Sequence, residues 1–197
     1  MQRPSSPTCS VTARELACRR GERVLFARLS LALGAGEACH VTGPNGVGKS
    51  SLIRVLAGLL PAFAGEVELH GAAGLVDERP ALDPHLPLAR ALAFWERIDG
   101  HAAEAAGRLG LDELGEVPVR FLSTGQKNRA ALARLIARGA PVWLLDEPLN
   151  GLDTSAVATV EALVAEHCAA GGLAVVASHQ PIALPGAQRL AIMDYAL

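Results

Sequence analysis

"GPNGVGKSS", residues 43–51, decides how the rest of this chain is read. It matches G-x-x-x-x-G-K-[ST] and stands where that pattern has a mechanism. A short apolar strand, "EACHVTG" (37–43), leads into it, and a helical stretch, "KSSLIRVLAGLL" (49–60), leads out of it until Pro61. Gly43, Gly46 and Gly48 let the backbone wrap closely, so successive N–H groups can point inward at phosphate oxygens. The helix N-terminus adds its positive dipole end. Lys49 can reach the outer phosphates as a point charge, and the Ser50 hydroxyl can ligate Mg²⁺. The phosphate-binding set is therefore Gly43, Pro44, Asn45, Gly46, Val47, Gly48, Lys49, Ser50 and Ser51. The bland alternative is a glycine-rich turn with a surface lysine. Against it, Lys49 is one of only two lysines, the other being Lys127.

Upstream of this loop, "SVTARELACRR" (10–20) and "RVLFARLSLALGAG" (23–36) alternate like exposed-edge strands around a turn at "RRGE" (19–22). Downstream, "GEVELHG" and "GLVDE" read as short strands. From "PLARALAFWERI" to "ALARLIARG" the pattern turns helical. "PVWLLDEP" and "LAVVASH" then read as buried strands around the helix "SAVATVEALVAEHCAAGG", and "RLAIMDYAL" closes the chain as a final strand. Strand–helix alternation with continuous apolar strands predicts an α/β fold with a mostly parallel core sheet covered on both faces. An antiparallel β part precedes it. One domain over 1–197 is expected, with a core at about 10–86 and 140–197 and an inserted helical subdomain at about 87–139.

Composition narrows the function classes. At 197 residues and 50% apolar, the chain can bury a real core, and a net charge of −2 gives no reason to expect nucleic acid as partner. Cys9, Cys18, Cys39 and Cys168 are widely spaced without CxxC, which argues against a disulfide framework or zinc site and for reduced thiols. "MQRPSSPTCS" lacks the apolar core of a signal peptide. No apolar run approaches the roughly 18 residues of a membrane span, so any membrane contact is expected through a partner.

A carboxylate pair narrows the phosphate site further. "VWLLDE" (142–147) delivers Asp146 and Glu147 at the carboxyl end of an apolar strand, where α/β sheets place ligands. Asp146 would hold the Mg²⁺ shell with Ser50. Glu147 would polarise the attacking water as general base.

The segment "LSTGQ" (122–126) resembles the signature sequence of ABC-type ATPases, the resemblance spanning about residues 10–193. Ser123 can cap the helix that follows, and the amides around Gly125 would face a γ-phosphate, with Gln126 completing the motif. The resemblance implies that the signature acts in trans, each copy in a homodimer closing over its partner's ATP. It also puts Asn150-Gly151-Leu152-Asp153 at the D-loop, where Asp153 would meet the partner, and makes His179 the switch histidine at the γ-phosphate. His40, His70, His85, His101 and His167 lack such support and are read as incidental. Two positions depart from the family pattern. The usual loop glutamine aligns with Arg79, which cannot ligate Mg²⁺, and the adenine-stacking aromatic falls near Arg20, whose guanidinium can stack on a purine. Phe26, the nearest aromatic, reads as core.

Within the family, "VPVRFLSTGQKNRAALARLIARGAPVWLLDEPLNGLD" (117–153), "AAGGLAVVASHQPIALPGAQRL" (169–190) and "LARALAFW" (88–95) are similar to the ATP-binding subunits of haem exporters of cytochrome c maturation. That similarity implies a peripheral subunit on the cytoplasmic face of the bacterial inner membrane, with ATP and Mg²⁺ as cofactors. Its partners would be a second copy and small integral-membrane permease subunits of the cytochrome c maturation system. The ATPase of another exporter, or a soluble assembly ATPase of the iron–sulfur scaffold type, would show the same active site.

Overall fold

The computed structural model describes residues 9–99, 103–184 and 186–197; His101 lies outside them. Strands β1 (Ser10–Arg20) and β2 (Arg23–Gly34) form a hairpin, and β4 (Ala64–His70) pairs antiparallel with the other side of β1. The sheet order β2-β1-β4 makes β1 a central strand, not the exposed edge its alternation suggests. Alternation reports one buried face and cannot report whether the backbone has one or two neighbours.

The second sheet is parallel throughout, in the order β5-β6-β7-β3-β8. Its strands are β3 (Ala38–Thr42), β5 (Ala73–Val76), β6 (Val142–Asp146), β7 (Leu173–Ala177) and β8 (Gln188–Ala191). Every residue of β6 and β7 is buried, and period 2 divides them between two cores. Val142, Leu144, Leu173 and Val175 face α1 (Lys49–Leu56) and the antiparallel sheet. Trp143, Leu145, Ala174 and Val176 face the other side, with α4 (Thr124–Arg138) and α5 (Thr154–Ala169). On that side α2 (Leu88–Asp99) and α3 (Ala103–Arg108) pack mainly on α4, so these three helices form a layer over one face.

Two boundaries differ from the sequence reading. Helix α1 stops at Leu56, short of Pro61, because Gly58 turns the chain with φ 72°. The last strand ends at Ala191, and Ile192–Tyr195 is a 3₁₀ turn, its buried Ile192 returning to the core. All five parallel strands end at the same sheet edge. The P-loop, Asp146–Glu147 and His179 leave the carboxyl ends of β3, β6 and β7, the three inner strands.

Candidate active site

The loop between β3 and α1 needs its glycines. Gly46 and Gly48 hold φ of 79° and 120°, and a Cβ on Gly48 would press within 3.2–3.3 Å of Phe26 and Leu25. Gly48 is also the N-cap of α1. It supplies no side-chain cap, and the first turn carries no acid, so the first N–H groups of α1 stay open to an anion.

A cavity of about 410 Å³ opens over these amides, lined by Asn45, Gly46, Gly48, Lys49, Ser50, Ser51, Glu147, Asn150 and His179, with Leu25 and Glu78 completing it. Lys49 is 5% exposed. Its Nζ donates to the carbonyls of Gly43 (2.9 Å) and Pro44 (3.2 Å) and lies 3.1 Å from Glu147 Oε1. That oxygen accepts no hydrogen bond, so the contact with Lys49 is one of charge. Glu147 Oε2 accepts the His179 amide at 3.3 Å and lies 2.8 Å from His179 Nδ1. Glu147 holds a left-handed backbone, φ 50°, a strain of about 1–3 kcal/mol for a non-glycine residue. Its amide donates to Ala177 O across to β7 at 2.8 Å, which fixes that conformation.

Beneath this layer Ser50 Oγ donates to Asp146 Oδ1 at 2.9 Å. Burial pushes the Asp146 carboxyl above the usual range, the Ser50 hydrogen bond opposes the shift, and the neighbouring Glu147 charge adds to it. Two hard oxygen donors this close suit a small divalent cation that keeps most of its waters and shares substrate phosphates. Among the described residues no group of three or more Asp, Glu, His or Cys is placed to hold a metal ion.

Gly43 and Pro44 line a neighbouring 730 Å³ cavity instead, and Val47 packs into the core. Ser123, Gly125 and Gln126 do not line the phosphate cavity. They start α4 with a reciprocal capping box. Ser123 Oγ accepts the Gln126 amide (3.2 Å), and Gln126 Oε1 accepts the Ser123 amide (2.8 Å). Gly125 is buried against Gly151. A Cβ there would run into Gly151 O and come within 2.8 Å of Gly151 C. Asn128, 7% exposed, donates Nδ2 to Asn150 O at 2.9 Å. The start of α4 is thus tied to the segment that follows Glu147. Gly125→Ala is expected to cost about 1–3 kcal/mol through overpacking, read as a lower urea midpoint at constant slope. An unchanged midpoint would show that the contact relaxes freely.

Asp153 caps α5, accepting from Ala156 N and Ser155 Oγ at 2.8 Å each, and these bonds hold its carboxyl below the usual range. Phe26 is fully buried, as expected, while Arg20 is exposed and does not line the cavity. Among the other histidines, His167 stacks on Trp143 with centroids 3.9 Å apart, and its Nε2 lies 3.2 Å from two carbonyls. His40 is half-buried on β3, His85 Nδ1 lies 3.0 Å from an Arg120 nitrogen, and His70 is exposed. All four cysteines are free thiols, and burial pushes the Cys39 thiol up to about 12. The residue that sequence reasoning missed is Glu78, discussed below.

A P-loop, a carboxylate pair and a histidine at the carboxyl edge of one parallel sheet define a P-loop nucleotide-hydrolysing protein. The "ABC transporter" family model matches residues 26–150. A cytochrome c biogenesis ATP-binding export protein CcmA from Novosphingobium aromaticivorans is 58% identical over 95% of this chain and 97% of its own length. Its namesake from Sphingopyxis alaskensis is 53% identical over 89% and 92%. A solved ATP-binding subunit of an ABC transporter superposes with a TM-score of 0.75 at 20% identity, covering 86% of this chain and 79% of that one. The chain belongs to the ABC transporter family, among its cytochrome c biogenesis ATP-binding export proteins.

Proposed function

We propose that two copies of this chain close head to tail around two ATP molecules and so power a membrane complex of cytochrome c biogenesis. The chain is the ATPase of that ABC system, as its relatives' shared name supports. The observation that carries the chemistry is the Lys49–Glu147–His179 constellation above the α1 amides.

In the free chain Glu147 occupies Lys49. A triphosphate competes for that cation and for the α1 amides, which releases Glu147 Oε1 toward the γ-phosphate. Oε1 then accepts the proton of the attacking water as oxygen bonds to the γ-phosphorus and ADP leaves. His179, bonded to Oε2, orients the carboxylate. Ser50 and Asp146 would hold Mg²⁺, which neutralises phosphate charge. Ser123, Gly125 and Gln126 serve the ATP of the other copy.

No helix among the described residues is long and apolar enough to cross a membrane. Attachment to the cytoplasmic face of the bacterial inner membrane would come from small integral-membrane permease subunits. A further cavity of about 350 Å³, lined by Arg79, Arg134, Arg138, Leu59 and Leu82, would offer them a basic seat. Segment 87–139 would move as a subdomain during closure. The work performed is export of haem or release of a haem-loaded chaperone toward apocytochrome.

The test is genetic. Cells carrying Glu147→Gln as their only copy should lose covalent c-type haem staining and keep membrane b-type cytochromes. Normal c-type staining would refute the assignment.

A further inference from the structure

The loop after β5 places two consecutive residues in two different cavities. Val76 pairs with Leu145, so Asp77 lies abreast of Asp146 at the carboxyl edge. Asp77 is committed within its own loop. Its Oδ2 lies 3.6 Å from Arg54 and its Oδ1 accepts the Arg79 amide at 2.9 Å, the i to i+2 pattern of an Asx turn. That turn separates its neighbours. Arg79 lines the basic cavity with Arg134 and Arg138, whereas Glu78 lines the phosphate cavity together with Ser50 and Lys49. Among the described residues, the Glu78 carboxylate has neither hydrogen bond nor ion pair.

The charges around the phosphate cavity are then unbalanced. Lys49 is its one lining lysine, and it is already paired with Glu147. Glu78 is an additional anion on the wall, with Asp146 just beneath. A metal-free triphosphate entering here meets the uncompensated Glu78 carboxylate. Carried in with a divalent cation, the same triphosphate brings a charge that Glu78 can attract.

We infer that Glu78, and not Arg79, is the cavity residue of this loop, and that its carboxylate makes nucleotide binding conditional on a divalent cation. With a divalent cation bound, Glu78 would add a third acidic or hydroxyl side chain near it, beside Ser50 and Asp146. It repels ATP that arrives without one. The inference rests on the nucleotide site proposed above and goes beyond it by assigning a role to a residue one position away from the family's expected glutamine.

Calorimetric ATP affinities of the purified chain, measured with Mg²⁺ and separately with excess EDTA, test it. Glu78→Gln keeps the shape of an exposed side chain and removes only its charge. It should bind metal-free ATP about 3–10-fold more tightly and Mg-ATP about 3–10-fold more weakly, the scale of one partly screened charge several Å away. The preference for Mg-ATP therefore shrinks at both ends. Arg79→Gln should keep the wild-type preference. Two unchanged affinities, two moving in the same direction, or a preference lost in Arg79→Gln instead would each overturn the assignment. A wild-type chain that binds neither form would overturn the nucleotide site itself, and the role of Glu78 with it.

Discussion

Replacing Glu147 by Gln is expected to slow ATP hydrolysis by about 10²–10⁴ and leave ATP binding intact, the usual range for loss of a general base. The side chain keeps its volume in a site only 9% exposed, and its Oε1 can still accept from the His179 amide or ring. What disappears is the proton acceptor for water and the charge that holds Lys49 at 3.1 Å. Lys49 is thereby freed for phosphate, so nucleotide affinity should hold or rise. Unhydrolysed ATP then persists between two copies, and the variant should elute as an ATP-dependent dimer in gel filtration with light scattering. Hydrolysis within a few fold of wild type would remove Glu147 from the chemistry.

The second large effect is at Lys49. Lys49→Ala removes the lining lysine and leaves Glu147 buried beside incoming phosphates. Losing charge-assisted hydrogen bonds of about 1.5–3 kcal/mol corresponds to binding weaker by roughly 10- to 100-fold, with hydrolysis abolished. Stripping Glu147 of Lys49 also leaves its buried carboxylate with His179 as its remaining partner, so the variant's melting temperature should fall. Adding Glu147→Gln to it should recover that stability without recovering ATP affinity. Wild-type affinity in Lys49→Ala, by calorimetry, would contradict the cradle.

Much of this was legible in the residues. Local chemistry marked the P-loop, the strand delivering Asp146 and Glu147, and the Ser123 cap, because glycine spacing, apolar runs and cap residues are short-range signals. The unseen features are long-range. Nothing near Gly125 announces that Gly151 will lie against it, and nothing near Lys49 announces its pairing with Glu147. The shift from Arg79 to Glu78 has the same origin. Motif alignment counts residues, whereas the backbone turn at Asp77 sets Glu78 and Arg79 into different cavities. Likewise β1 alternates as an edge strand would, and only its second partner, β4, makes it central.

In the proposed dimer each ATP is served by the P-loop of one copy and the signature segment of the other. Ser123→Asp tests it with little damage to the fold, because aspartate is itself a good N-cap and Ser123 is exposed, unlike Gly125. In the proposed dimer its carboxylate would stand where a partner's γ-phosphate approaches, so the variant should bind ATP and fail to hydrolyse it. The decisive measurement is the ATPase rate of Ser123→Asp mixed with Lys49→Ala, each inactive alone. In the mixed dimer one site combines the intact P-loop of the first with the intact signature of the second. Activity is expected to reappear on mixing and to grow with the fraction of mixed dimer. Mixtures that stay inactive while crosslinking shows mixed dimers present would contradict it.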